Sequence, residues 1–329
     1  SDEVAEAVGT PGQSDPPIGF CASSKLRKNE DNGWVLAPVN LYPTTGIPAI
    51  NTLYVVEVTG AELLEAEGKS VRVAPHVRQE YPVRYLAASA ESRAEELTRL
   101  WLDPETDLLL AARGGFGCAH LLPLLDWKQL AARPELPLVG YSDVTVLHYA
   151  MLKTGAGTPV IGPMLGKLAQ AADDPYTAGH FRKALLKTPR EVETPPEFGP
   201  VHILKPGNAQ GLPLPGNLAV AATLAGTGFL PDPAGKILFF EDLNEPVYKL
   251  DRYLTQLEQA GFLRNAAGIV FGQFSDCAPP EELERLFGEV AARFGGPVRM
   301  NFPFGHVFPF ASLNCRQLVA LESDRICCC

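Results

Sequence analysis

The sequence predicts an α/β fold arranged as two domains. Apolar strand-like runs alternate with amphipathic helical segments, an order that favours a mostly parallel sheet with helices on both faces. The runs Asp107–Ala112 and Lys236–Phe240 are apolar after their first residue, as strands covered on both faces are. At 329 residues the chain is long for one domain and comfortable for two. A proline-bearing stretch of weak patterning, residues 164–213, divides the two runs.

Residues 1–32 are acidic, then rich in Pro, Gly and Ser, and are expected to be disordered. The first domain is expected over residues 33–165. Gly33–Pro38 reads as a strand stopped by proline, and Thr52–Val58 as another. A short helix at Ala61–Glu67 and a strand at Ser70–Ala74, ended by Pro75, follow. Ser89 is a natural N-cap for a helix whose stripe is Ala94, Leu97, Leu100 and Trp101, closed by Asp103-Pro104. Asp107–Ala112 is a buried strand that runs into Arg113–Gly117. Leu121–Leu125 is expected to be a short helix. Leu136–Gly140 is a strand, followed by a turn and a helix, and Pro159–Ile161 is one more strand.

Residues 166–210 are expected to be a linker that carries a helix near Tyr176–Leu186. The second domain is expected over residues 211–325. Its helices are Asn217–Leu224, Tyr248–Phe262 and Pro280–Phe294. The inner face of the second is Leu250, Leu254, Leu257 and Ala260. Its strands are Lys236–Phe240, ending at Glu241-Asp242, then Ala267–Phe274, Val298–Phe302 and Gln317–Leu321. No internal repeat is visible.

Composition is that of an ordinary globular protein, 46% hydrophobic and 20% charged. The formal net charge of -10 argues against a nucleic-acid backbone as partner. No apolar run has the length to cross a membrane, and no secretory pattern is seen. The 7 cysteines show no paired C-x-x-C spacing and no His partners at zinc spacing. The internal ones read as free thiols of a reducing, cytoplasmic compartment. The terminal run Cys327-Cys328-Cys329 reads as a frayed tail.

In an open parallel sheet, functional groups gather beyond the carboxyl ends of strands. Ser142 follows LPLVG in the turn Gly140–Asp143, ahead of a helix whose Val144, Leu147 and Met151 share a face. Serine there serves either as an N-cap or as a nucleophile pushed out of the backbone at a strand-to-helix turn. Its amide and that of Asp143 lie at a helix N-terminus, which favours developing negative charge. The turn lacks the second glycine of the G-x-S-x-G elbow, because position 144 is Val. Glu241 follows KILFF, and His306 follows Val298–Phe302 and the turn Pro303–Gly305. These residues make a candidate Ser–Glu–His set: the histidine takes the serine proton and the carboxylate orients the ring. Each also has an ordinary reading, as a cap, a water-facing acid or a structural histidine.

The run Arg113–Gly117 (RGGFG) lets backbone approach a ligand closely and exposes amides. It reads as a phosphate cradle, as half of an oxyanion hole with the amide after Ser142, or as a tight structural turn. It is neither G-x-G-x-x-G nor a P-loop. His148, on the helix after Ser142, points away from the elbow and reads as packing. His76, His120, His180 and His202 are scattered, and no metal site is expected.

Taken in order, LLLAARGGFGCAHLLPLLDW, PLVGYSDVTVLHYAMLKTG, PGNLAVAATLAGT, ILFFEDLNEPVYKLDRYLTQLEQAGFL, AGIVFGQFSDC and FPFGH resemble the serine-type LD-carboxypeptidase family. That family includes murein tetrapeptide carboxypeptidases and microcin C immunity peptidases. The resemblance spans roughly residues 85–320. It implies a flavodoxin-like parallel-sheet N-terminal domain and a smaller C-terminal domain of swivelling β/α type, with the active site between them. It also implies Ser142 as nucleophile, Glu241 as triad acid and His306 as base, with the amides of Gly115 and Asp143 as oxyanion hole.

The implied reaction is removal of C-terminal D-alanine from a small peptide, the murein tetrapeptide, with no metal or other cofactor. Arg113 is a candidate for binding the substrate's terminal carboxylate or for bracing the glycine turn, and Gly114 is a second substrate-binding candidate. The continuation EPVYKLDR is more similar to the murein-recycling branch. The family further implies a homodimer. Departures fall in the first hundred residues, at PLPGNL and in VFPFASLNCRQ after His306. Two alternatives stand beside this. One is a microcin-immunity-type peptidase acting on peptidyl nucleotides, which an aromatic such as Phe198 over the site would favour. The other is a non-catalytic nucleotide-binding α/β protein that uses RGGFG as a cradle.

Overall fold

The computed structural model describes residues 26–28, 34–36, 55–58, 71–73, 86–164, 167, 171, 174–322 and 325–329. The helix expected at Ala61–Glu67 lies outside them. Leu26–Lys28 forms a strand antiparallel to Trp34–Leu36, so regular structure begins inside the segment expected to be disordered; the rest of that segment is outside the described residues.

The first sheet runs in the order Leu313–Asn314, Thr158–Ile161, Pro137–Gly140, Leu108–Ala111, Val55–Val58, Val71–Val73. Leu108–Ala111, Pro137–Gly140 and Thr158–Ile161 pair in parallel. The outer strands pair antiparallel, so the sheet is mixed and its parallel, doubly wound character is confined to the centre. The reason is topological. Each central parallel pair is joined by a crossover of a dozen or more residues that carries a helix, Trp127–Leu130 or Thr145–Thr154.

Helix Ala90–Leu102 starts where Ser89 accepts from the Ser92 amide, and it buries Ala94, Leu97, Leu100 and Trp101 as expected, with Arg93 beside them. No helix forms over Leu121–Leu125. A 3₁₀ turn ends at Leu121, and a new helix, Trp127–Leu130, starts from the Asp126 cap. Pro123 explains the break, since it lacks an N–H and fits only a first helical turn. Helix Pro175–Leu185 covers the other face of the sheet, with Phe181 and Ala184 packed on Leu108, Leu110, Val139 and Val160.

The second sheet runs Pro213–Asn217, Ile237–Leu243, Gly268–Ser275, Val298–Met300, His202–Lys205. Its first four strands are parallel, and His202–Lys205, from the linker stretch, closes it antiparallel. Strand Ile237–Leu243 runs past the expected end at Phe240 and takes in Glu241 and Asp242, with a register shift between Phe240 and Asp242. A third, antiparallel sheet runs Ala209–Gly211, Val319–Leu321, Ile326–Cys328, Arg190–Glu191. The terminal cysteines are therefore not a frayed tail: Cys327 and Cys328 sit in an inner strand and Cys328 is buried. One core of buried side chains, including Leu147, Leu214 and Phe240, runs through both of the larger sheets.

Candidate active site

Strand Pro137–Gly140 delivers the chain to Tyr141, which is extended, and then to Ser142 at φ 62. A left-handed conformation costs a non-glycine residue about 1–2 kcal/mol, and such strain concentrates at functional sites. A 3₁₀ turn, Ser142–Val144, and helix Thr145–Thr154 follow. The elbow is tight even though Val stands at 144. A Cβ on Gly140 would lie 2.9 Å from the Val144 methyls. Val144 is itself buried, so the close approach is made at position 140 instead of 144.

The RGGFG turn presses on the serine. A Cβ on Gly114 would lie 2.8 Å from Ser142 Cβ and 3.0 Å from its Oγ. Gly115 and Gly117 both take φ 118. The turn is held from two sides. Arg93 donates from Nη1 to the Gly117 carbonyl at 3.1 Å and from Nε to Ala88 at 3.2 Å. The Cys118 amide donates to Asp143 Oδ2 at 2.9 Å. Burial pushes the Asp143 carboxyl up, against the Cys118 hydrogen bonds and the Arg93 and His120 charges. Arg113 stands half-buried at the strand-to-turn junction, and Phe116 is exposed with His120 edge-on to its ring.

Glu241 and His306 meet directly: the ring Nδ1 lies 2.7 Å from Glu241 Oε2. Glu241 is fully buried and His306 is half-buried. Gly305, at φ 136, allows this approach, because a Cβ there would lie 3.0 Å from Glu241 Cβ. A carboxylate on Nδ1 holds the proton there and leaves the Nε2 lone pair as the basic site. Burial alone would lower the His306 pKa. The Glu241 charge and hydrogen bond, with Asp242 behind, outweigh it, and the net shift is upward. The ring packs edge-on against Tyr141 with centroids 5.0 Å apart. The histidine thus stands beside the residue that precedes Ser142.

His148 is buried and donates from Nε2 to the Leu138 carbonyl at 3.0 Å. Burial lowers it to about 4, which keeps it neutral and in a packing role as expected. Among the described residues no cluster of His, Cys, Asp and Glu could hold a metal ion, and no helix is long and apolar enough to cross a membrane. The sequence reading missed Arg93, the Asp143 carboxylate and the pair Asn217–Asp242. One signal was available: Arg93 falls on the same helical face as Leu97 and Leu100, an odd place for a charge unless it has work there.

Residues 51–160 match the LD-carboxypeptidase N-terminal domain and residues 210–321 match the LD-carboxypeptidase C-terminal domain. Ser142 lies in the first match; Glu241 and His306 lie in the second. The chain is 36% identical over 277 residues to the murein tetrapeptide carboxypeptidase of Pseudomonas aeruginosa, covering 80% of this chain and 87% of that protein. Among solved structures it is similar to muramoyltetrapeptide carboxypeptidase from Oxalobacter formigenes, with TM-score 0.65 and 29% identity over 76% of this chain and 86% of that one. An MccF-like protein from Bacillus anthracis shares the fold, with TM-score 0.70 and 22% identity over 78% of this chain and 85% of that one. The chain belongs to the LD-carboxypeptidase family of serine-type hydrolases.

Proposed function

We propose that the protein removes C-terminal D-alanine from a murein tetrapeptide, with Ser142 as nucleophile, His306 as general base and Glu241 as the acid that orients and charges it. The observation that carries this reading is the 2.7 Å His306–Glu241 contact, set beside a serine held at φ 62 under Gly114. His306 Nε2 takes the Ser142 proton as Oγ adds to the amide carbonyl. The amides of Gly115 and Asp143 receive the oxyanion, and Arg113 with Gly114 lies at hand for the terminal carboxylate. The C–N bond then breaks, His306 returns the proton to the departing D-alanine amine, and water clears the acyl-enzyme by the same route. The murein substrate is taken from the named relatives in Pseudomonas aeruginosa and Oxalobacter formigenes.

The cradle reading of RGGFG loses ground here. Gly114 faces the serine, not open space. A cytoplasmic location and a homodimer complete the proposal on family resemblance, to be tested by fractionation and sedimentation. The reaction is tested by offering the tetrapeptide, the pentapeptide and a peptidyl nucleotide side by side. D-alanine from the tetrapeptide supports the reading, and turnover of the peptidyl nucleotide alone would replace it.

A further inference from the structure

The two halves of the candidate triad sit on different sheets. Ser142 opens the turn before helix Thr145–Thr154, while Glu241 lies on strand Ile237–Leu243. Their relative placement needs a physical link. We infer that Thr145, Asn217 and Asp242 form a positioning clamp that seats the Ser142-bearing helix on the Glu241-bearing strand and so sets the reach from Ser142 to His306. The inference rests on the triad reading above.

The link is continuous. Thr145 Oγ1 accepts from the Asn217 amide at 3.1 Å. Asn217 stands directly across the ladder from Glu241. Its Nδ2 donates to Asp242 Oδ1 at 2.9 Å, and its Oδ1 accepts from the Val220 amide at 3.1 Å. Asp242 also accepts from the Ala219 and Leu243 amides, each at 2.9 Å. All three residues are buried. Contact at the joint is close: a Cβ on Gly216 would lie 2.5 Å from Thr145 Cγ2.

The ladder places Glu241 against Asn217 but does not itself reach the helix of Ser142. The Thr145 hydroxyl, three residues beyond the serine, makes that connection, and sliding the helix would break it. The adjacent carboxylates divide the work. Successive strand residues point to opposite faces, and a register shift adjusts the strand here. Glu241 reaches His306, and Asp242 reaches Asn217.

The test compares the parent with Thr145→Val, which keeps shape but removes the acceptor, and Thr145→Ser, which restores it. Turnover of the tetrapeptide is measured together with the rate at which a fluorophosphonate probe labels Ser142. Thr145→Val is expected to lower kcat and the labelling rate about ten- to hundred-fold, with KM nearly unchanged, because small misplacements of reacting groups cost that much. Thr145→Ser is expected to recover most of the lost rate. A parent-like kcat in Thr145→Val, or a loss confined to KM, would overturn the clamp. If Thr145→Val does not fold, Asp242→Asn carries the same comparison. Labelling of the parent elsewhere than Ser142 would instead overturn the triad reading. The clamp is then judged by crystal structures of parent and Thr145→Val: a longer Ser142 Oγ to His306 Nε2 separation supports it and an unchanged one refutes it.

Discussion

Ser142 is held in a left-handed conformation and is partly buried, and this has a consequence for stability. Glycine relieves the strain and alanine does not. Ser142→Gly is therefore expected to melt above Ser142→Ala, by about 1 kcal/mol in thermal denaturation. On the proposed mechanism His306 sets the pH dependence. Its pKa lies above the ordinary 6.5, and the base works neutral, so the acid limb of kcat/KM should fall above pH 6.5. In stability the same shift favours the protonated fold: the contribution is present below pH 6.5 and fades as pH rises through the folded value. Glu241→Gln removes the main upward influence and leaves burial. The acid limb of its residual activity should then move below pH 6.5; a limb that stays in place would remove Glu241 from the pair. The three candidate residues were legible as polar side chains at strand ends. The elbow was less so, because the glycine that makes room for Ser142 is Gly114, from the turn after another strand, while the local sequence offers Gly140 and lacks a glycine at 144.

The RGGFG turn shows how elements are held in register. Its carbonyl at Gly117 and the amide of Cys118 just after it are tied to Arg93 and Asp143, one from helix Ala90–Leu102 and one from the turn that holds Ser142. Replacing Arg93 by Met leaves the Gly117 and Ala88 carbonyls without this donor. A loss of about 1–3 kcal/mol in denaturant unfolding is expected, for buried acceptors left unpaired. A drop in kcat should accompany it as the turn loosens over Ser142. Parent-like kcat in a folded Arg93→Met would show that the turn needs no brace. The helices were readable from caps and stripes, as Ser89 and Leu97 illustrate. The end of strand Ile237–Leu243 was not. Glu and Asp read as a strand terminus because charge prefers water. Here both are buried by partners from elsewhere, His306 and Asn217, and burial with the Glu241 charge pushes Asp242 up to about 7.

At the scale of the molecule the site depends on two sheets meeting closely. Gly216→Ala places a methyl 2.5 Å from Thr145 Cγ2 and 2.9 Å from Tyr149 Oη. Overpacking of this kind typically costs about 1–3 kcal/mol, and the melting temperature should fall accordingly. Tetrapeptide turnover should fall with it, since the displaced helix carries Ser142. An unchanged melting temperature would mean that the joint yields freely. Alternating strands and helices made the α/β class and the two sheets legible. The antiparallel edge Leu313–Asn314 and the pairing of Ile326–Cys328 with Arg190–Glu191 were not, because each depends on a partner far away in sequence. The measurement that bears most directly on the account is D-alanine release from the murein tetrapeptide by the parent and by Ser142→Ala, followed by mass spectrometry. Release by the parent and none by the variant is the expected result. Equal release by both would contradict the assignment of Ser142, and with it the triad.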